Sequence, residues 1–122
     1  MLSSIMGMAT VFIIARDWTL RTAVRAELHE QGIHALGMDS LDPVGQALAE
    51  GQMPAAVVIE AIPEIAADPA LRRLIERVPA ILIASRTETA PLPPVRMVLY
   101  RPVRIGEIVA RVKEIIQRGH AV

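Results

Sequence analysis

Residues 10–38 read TVFIIARDWTLRTAVRAELHEQGIHALGM, and the change of period inside this stretch decides the fold. Thr10–Ala15 (TVFIIA) is an unbroken apolar run, the pattern of a strand covered on both faces. From Leu20 the spacing changes. Leu20, Val24 and Leu28 recur every four residues with Ala23 beside them, which predicts an amphipathic helix, and Gly32 supplies its stop. Ile33–Met38 (IHALGM) is again a short, weaker apolar run. Strand, helix and strand within about thirty residues make a β–α–β crossover.

The rest of the chain repeats the alternation. Ala55–Ile59 (AAVVI) and Ala80–Ala84 (AILIA) are continuous apolar runs and belong with Thr10–Ala15 at the centre of a parallel sheet. The weaker runs Ile33–Met38 and Met97–Tyr100 (MVLY) are placed at the two edges, which makes five strands. Asp42-Pro43 and Asp68-Pro69 each put a capping carboxylate before a proline suited to a first helical turn. Gly51 closes the first of these helices and Val78-Pro79 ends the second. Ile105, Ile108, Val109, Val112, Ile115 and Ile116 keep the helical period up to Gly119. Strands alternating with helices imply a doubly wound α/β sheet with helices on both faces. The exception is Ser85–Val95 (SRTETAPLPPV). It holds Pro91, Pro93 and Pro94 and has no helical period, so the helix between the fourth and fifth strands is expected to be missing or replaced by a Pro-rich loop.

Composition narrows the function classes. The chain has 122 residues, 52% of them hydrophobic, enough for one core, and it reads as one domain over 1–122 with its core at about 9–118. No apolar run is long enough to cross a bilayer, and MLSSIMGMAT lacks the basic start of a secretory signal, so a cytoplasmic, soluble protein is expected. With no cysteine there is no disulfide and no thiolate metal site. A formal net charge of zero leaves no electrostatic footprint for direct nucleic-acid binding.

The segments VFIIARDWTLRTAVRAELHEQG, AAVVIE, PAILIAS and LYRPVRIGEIVARVKEI, spread from about Thr10 to Ile116, resemble the receiver domain of bacterial response regulators, the CheY-like family. The resemblance implies a flavodoxin-like five-stranded parallel sheet of order 2-1-3-4-5, with the site at the carboxyl ends of the central strands. It also shows where this chain departs from the family. A working receiver holds magnesium through an acidic pair after the first strand, because this hard cation is bound by carboxylate oxygens and water; here that pair is Ala15-Arg16. Asp17 follows one position later and is read as a helix cap, with Thr19 competing for that role. The family's phosphoacceptor aspartate corresponds to Glu60, one methylene longer and not the residue that forms the family's acyl phosphate; it resembles a built-in imitation of the activated state. Pro63 stands one residue closer to Glu60 than the family spacing. The switch hydroxyl position is Ala84, with Ser85 next. The family's lysine–proline pair corresponds to Arg101-Pro102, and because the family's bond is cis, a cis Arg101-Pro102 peptide is expected, aiming Arg101 into the site. Arg101 offers a planar fork suited to a carboxylate. Two readings of Arg101 and Glu60 stay open: a close ion pair, or two solvated charges whose pairing is worth only about 0–1 kcal/mol.

Other residues are weighed the same way. His29, His34 and His120 have no second ligand at helical or strand spacing and read as surface residues, so no metal and no cofactor is expected. Trp18 is read either as a partner contact or, more commonly for such a residue, as an apolar staple on the first helical turn. Arg111, Lys113 and Arg118 alternate with Glu107 and Glu114, the pattern of a solvated helix face. There is no phosphate loop and no recognisable nucleophile–base pair, so no enzyme is expected. The leading expectation is a pseudo-receiver of a two-component phosphorelay, acting by phosphorylation-independent protein–protein interaction. The alternatives are a receiver that still accepts phosphate at Asp17 or another carboxylate, and a flavodoxin-like binder of a nucleotide or flavin. The resemblance places the interaction surface, for a protein partner or a homodimer, on the last strand, the Ser85–Val95 crossover and the last helix. Leu92, Val95, Met97 and Leu99 are its expected residues, unless the prolines simply cover an apolar edge.

Overall fold

The computed structural model describes residues 9–63, 67–85, 95 and 97–120. Five parallel strands, β1 (Thr10–Ile14), β2 (His34–Met38), β3 (Ala56–Glu60), β4 (Ala80–Ala84) and β5 (Met97–Tyr100), form one sheet in the order β2-β1-β3-β4-β5. The three most apolar runs occupy the centre and the two weaker ones the edges, as their hydrophobicity requires. Val11 pairs with both Ala35 and Ala56, and Val57 with Ala80, so the strand starts align at one end.

Because side chains alternate along a strand, each central strand feeds two cores. Val11, Ile13, Val58, Ile81 and Ile83 face α1 (Trp18–Glu30) and α4 (Ile105–His120), packing on Leu20, Val24, Leu28, Ile108, Val112 and Ile116. Phe12, Ile14, Val57, Ile59 and Leu82 face the other way, onto Val44 of α2 (Asp42–Ala49) and Leu71, Leu74 and Ile75 of α3 (Pro69–Ile75). Each such buried aliphatic side chain contributes on the order of 1.5–3 kcal/mol. No polar or charged residue is buried among the described residues.

The helix stops follow from backbone chemistry. Gly32 and Gly51 have φ of 78° and 85°, the left-handed conformation that glycine adopts without a Cβ penalty. Beyond each, the chain folds back on the helix: Ile33 N–H donates to Leu28 O at 2.9 Å and Gln52 N–H to Ala47 O at 3.0 Å, the closing bonds of a Schellman turn. Asp68 caps α3, accepting from Ala70 N–H at 2.8 Å. Asp42 differs from expectation. The N-cap of α2 is Leu41, without a side-chain cap bond, and Asp42 is the first helical residue. There its charge faces the positive end of the helix dipole instead of bonding an amide. Helix α3 ends at Ile75, before Val78-Pro79.

Between β4 and β5 the described residues, Ser85 and Val95, belong to no helix, consistent with the expected loss of one. The prolines 91, 93 and 94 and Leu92 lie outside the described residues. No helix among the described residues is long and apolar enough to cross a membrane.

Candidate functional site

The carboxyl ends of β1, β3, β4 and β5 bring Ala15, Glu60, Ala84 and Arg101 to one end of the sheet. Ladder bonds fix them there: Ala15 N–H donates to Met38 O at 2.9 Å, Ala61 N–H to Ile83 O at 2.9 Å and Arg101 N–H to Ala84 O at 2.8 Å. Ala15 and Ala84 are buried and serve only as wall. Ser85 is half-buried. The Arg101-Pro102 peptide is cis, as expected, and exposed Pro102 lines a groove of about 500 Å³ with Asp17, Leu20, Arg101 and Val103.

Glu60 is the hub. Its Oε1 accepts the backbone N–H of Arg16 at 2.8 Å and of Asp17 at 3.1 Å, and its Oε2 accepts Arg101 Nη2 at 2.9 Å. The side chain is only 13% exposed, so these three donors replace most of its hydration. Arg101 is the fork: Nη2 serves Glu60 while Nη1 serves Asp17 Oδ2 at 3.2 Å. Of the two readings of Glu60 and Arg101, the close ion pair is the one present, with a second carboxylate attached to it. Asp17 caps α1, its Oδ1 accepting Leu20 N–H at 3.1 Å; Thr19 is not the cap. The Leu20 N–H first, and then the Arg101 guanidinium, hold the Asp17 carboxyl below its ordinary value of 3.8, against the opposing effect of burial.

The turn after β1 has a second fastening. Arg21, one helical turn into α1, donates from Nη1 to Ala15 O at 2.6 Å. Reading the sequence missed this bond and also the two backbone amides on Glu60. An arginine after a helix start carries no mark of its target, and the reach of a glutamate to amides more than forty residues earlier depends on strand neighbours. The only legible signal was the acidic residue at the end of a central strand with an arginine at the end of another.

This donor set does not fit a divalent cation. Both Asp17 oxygens and both Glu60 oxygens already accept N–H groups, and a guanidinium stands between the two carboxylates where magnesium needs oxygen ligands. No group of three or more His, Cys, Asp or Glu that could hold a metal occurs among the described residues.

Two other expectations, at Trp18 and Val95, are corrected. Trp18 is not a staple; it follows the Asp17 cap as the first residue of α1, whereas a staple residue precedes the cap, and it is 67% exposed. Val95, expected at the interaction surface, is buried in the core beside α3. Met97 and Leu99 are half-buried against the α4 side of the sheet, and Tyr100 is the exposed residue of β5. Leu92 lies outside the described residues. His29 and His34 are exposed and stacked, with ring centroids 6.0 Å apart; the side chain of His120 is outside the described residues.

A five-stranded parallel sheet of this order, with a charged cluster at its carboxyl end, is the architecture of a response regulator receiver. The solved structures agree. The chain superposes on a response regulator receiver protein from Burkholderia phymatum with a TM-score of 0.74 at 19% identity, covering 89% of this chain and 95% of the other. A CheY-like receiver domain protein from Methanospirillum hungatei JF-1 gives 0.74 at 15% identity, covering 93% and 98%. An orphan response regulator of H. pylori gives 0.65 at 18%, covering 90% and 98%. No family model and no curated protein sequence matches the chain. The fold is therefore that of the CheY-like receivers, at identities that carry the architecture alone.

Proposed function

We propose that this chain is a pseudo-receiver: a cytoplasmic, non-catalytic signalling module that spans residues 1–122 and acts by binding a protein partner or a second copy of itself, in a state not set by aspartyl phosphorylation. The observation that carries this reading is the Glu60 carboxylate, whose oxygens take two backbone N–H groups and the Arg101 guanidinium. In a phosphoaccepting site those donors would be offered to an incoming anion. Here the chain supplies the anion itself, and Arg101 joins it to the cap of α1. Asp17 is a poor substitute acceptor, since each of its oxygens is already engaged. The recognition surface we assign is β5 with α4 and the 85–95 connection, centred on Met97, Leu99 and exposed Tyr100.

The test is a titration of the chain with magnesium and beryllofluoride, followed in an amide correlation spectrum. Under this reading the spectrum stays unchanged. Saturable shifts centred on Asp17 and Glu60 would overturn it and reinstate a phosphoaccepting receiver.

A further inference from the structure

Among the described residues, strand β2 is an outer strand, paired with β1 alone. Met38 turns its carbonyl inward to Ala15 N–H, so by the two-residue alternation of a strand the backbone groups of Ala35 and Gly37 point outward. Such outward groups are a template for another strand, and edge strands ordinarily blunt it with a lysine, a proline or a bulge. The strand HALGM has no lysine or proline, and its register with β1 runs unbroken over all five residues.

The cover comes from α1 instead. Ala35 N–H donates to His29 Nε2 at 3.3 Å, and Ala35 O accepts Arg25 Nε at 3.3 Å. The His29 ring lies nearly parallel to that of His34, at an interplanar angle of 9°, which holds it over the edge. Two turns before His29, the Arg21 stem crosses Gly37 so closely that a Cβ there would lie 2.9 Å from Arg21 Cγ. Arg25 and His29, four residues apart, thus bond the outward groups of Ala35 in place of a neighbouring strand, while Arg21 packs on the face at Gly37.

We infer that Arg25 and His29 guard the β2 edge, closing a strand-pairing surface that would otherwise join the β2 edge of a second copy of this chain. The outward row of Ala35 and Gly37 is self-complementary, since two copies related by a two-fold axis would meet as antiparallel β2 strands and extend the sheet. At 3.3 Å both covering bonds are long for N–H donors. This surface lies at the edge opposite β5 and is independent of the recognition surface proposed above.

The experiment uses the full chain carrying Arg25→Ala and His29→Ala together, with His29→Gln as a control whose amide oxygen still accepts the Ala35 N–H. Mass is followed by light scattering against concentration, and amide exchange is read at Ala35 and Gly37. The expected result is at least ten-fold faster Ala35 exchange in dilute double variant. As concentration rises, its mass should exceed the parent's while the Ala35 amide regains protection and the Gly37 amide gains it; His29→Gln should follow the parent. A folded double variant whose mass tracks the parent overturns the inference, and so does association that leaves the Ala35 amide unprotected. Should circular dichroism show that the double variant has lost its fold, the single His29→Ala chain is judged by the same two readings.

Discussion

Glu60 shows how one methylene changes the role of a position. Its longer side chain carries the carboxylate back to the amides of Arg16 and Asp17. Glu60→Gln keeps an oxygen for those amides but sets an NH2 group against the Arg101 guanidinium. A loss of about 1.5–3 kcal/mol is expected, the range for a hydrogen bond to a charged group, measured as a fall in urea midpoint at constant slope. Arg101→Lys should lose less, since a point charge keeps one carboxylate while giving up the fork. Asp17 makes an acid-linked prediction. Its folded pKa lies below the unfolded value, so its stabilisation is fully present above the unfolded pKa and disappears as pH falls through the folded one. Urea midpoints measured from pH 7 down to pH 3 should therefore drop below about pH 4, and Asp17→Asn, which keeps a capping oxygen without a charge, should show a shallower drop. The residues of this site were legible one by one; their bonding was not. An acidic residue and an arginine at strand ends announce a charged site, but that Arg101 serves Asp17 and Glu60 together depends on three strand ends meeting.

At the scale of elements, the caps differ in a way that mutation can read. Asp17 and Asp68 bond an amide of the first turn, whereas Asp42 stands inside α2 and bonds none. Asp68→Ala should cost about 0.5–2 kcal/mol. Asp42→Ala should cost only about 0.3–1 kcal/mol, the dipole contribution of an exposed charge, and that cost should shrink in high salt while the loss at Asp68 persists. Thermal melts of the two variants at low and high salt make the comparison. Nothing in the two Asp-Pro pairs separates these roles, because a one-residue shift of the helix start changes a cap into a first-turn residue. The glycine stops were easier to read, since the left-handed φ at Gly32 and Gly51 is a demand that few other residues meet.

For the molecule as a whole, the central strands join two cores through alternate residues, so damage on one face is felt on both. Phe12→Ala should cost about 3–5 kcal/mol, a large share of the roughly 5–15 kcal/mol that a domain commands. Hydrogen exchange should then quicken in β3 and β4 together with β1. Tyr100→Ala should leave the melt within about 0.5 kcal/mol of the parent, as for a surface change; under the proposed function it should weaken partner binding or self-association, measured by light scattering with and without a co-purified partner. The resemblance to receivers placed the site at the strand ends; the sequence by itself determined the α/β alternation, which runs lie at the sheet centre and where the helices stop. Those properties are set by local apolar period and backbone preference, which neighbouring residues carry with them. Only the tertiary structure decided that Glu60 fills its own site, that Arg21 pins the turn after β1, that Trp18 is exposed and Val95 buried, and that α1 covers the β2 edge. Each of these depends on which distant segments the sheet order places side by side, and that proximity is absent from the period of any one segment.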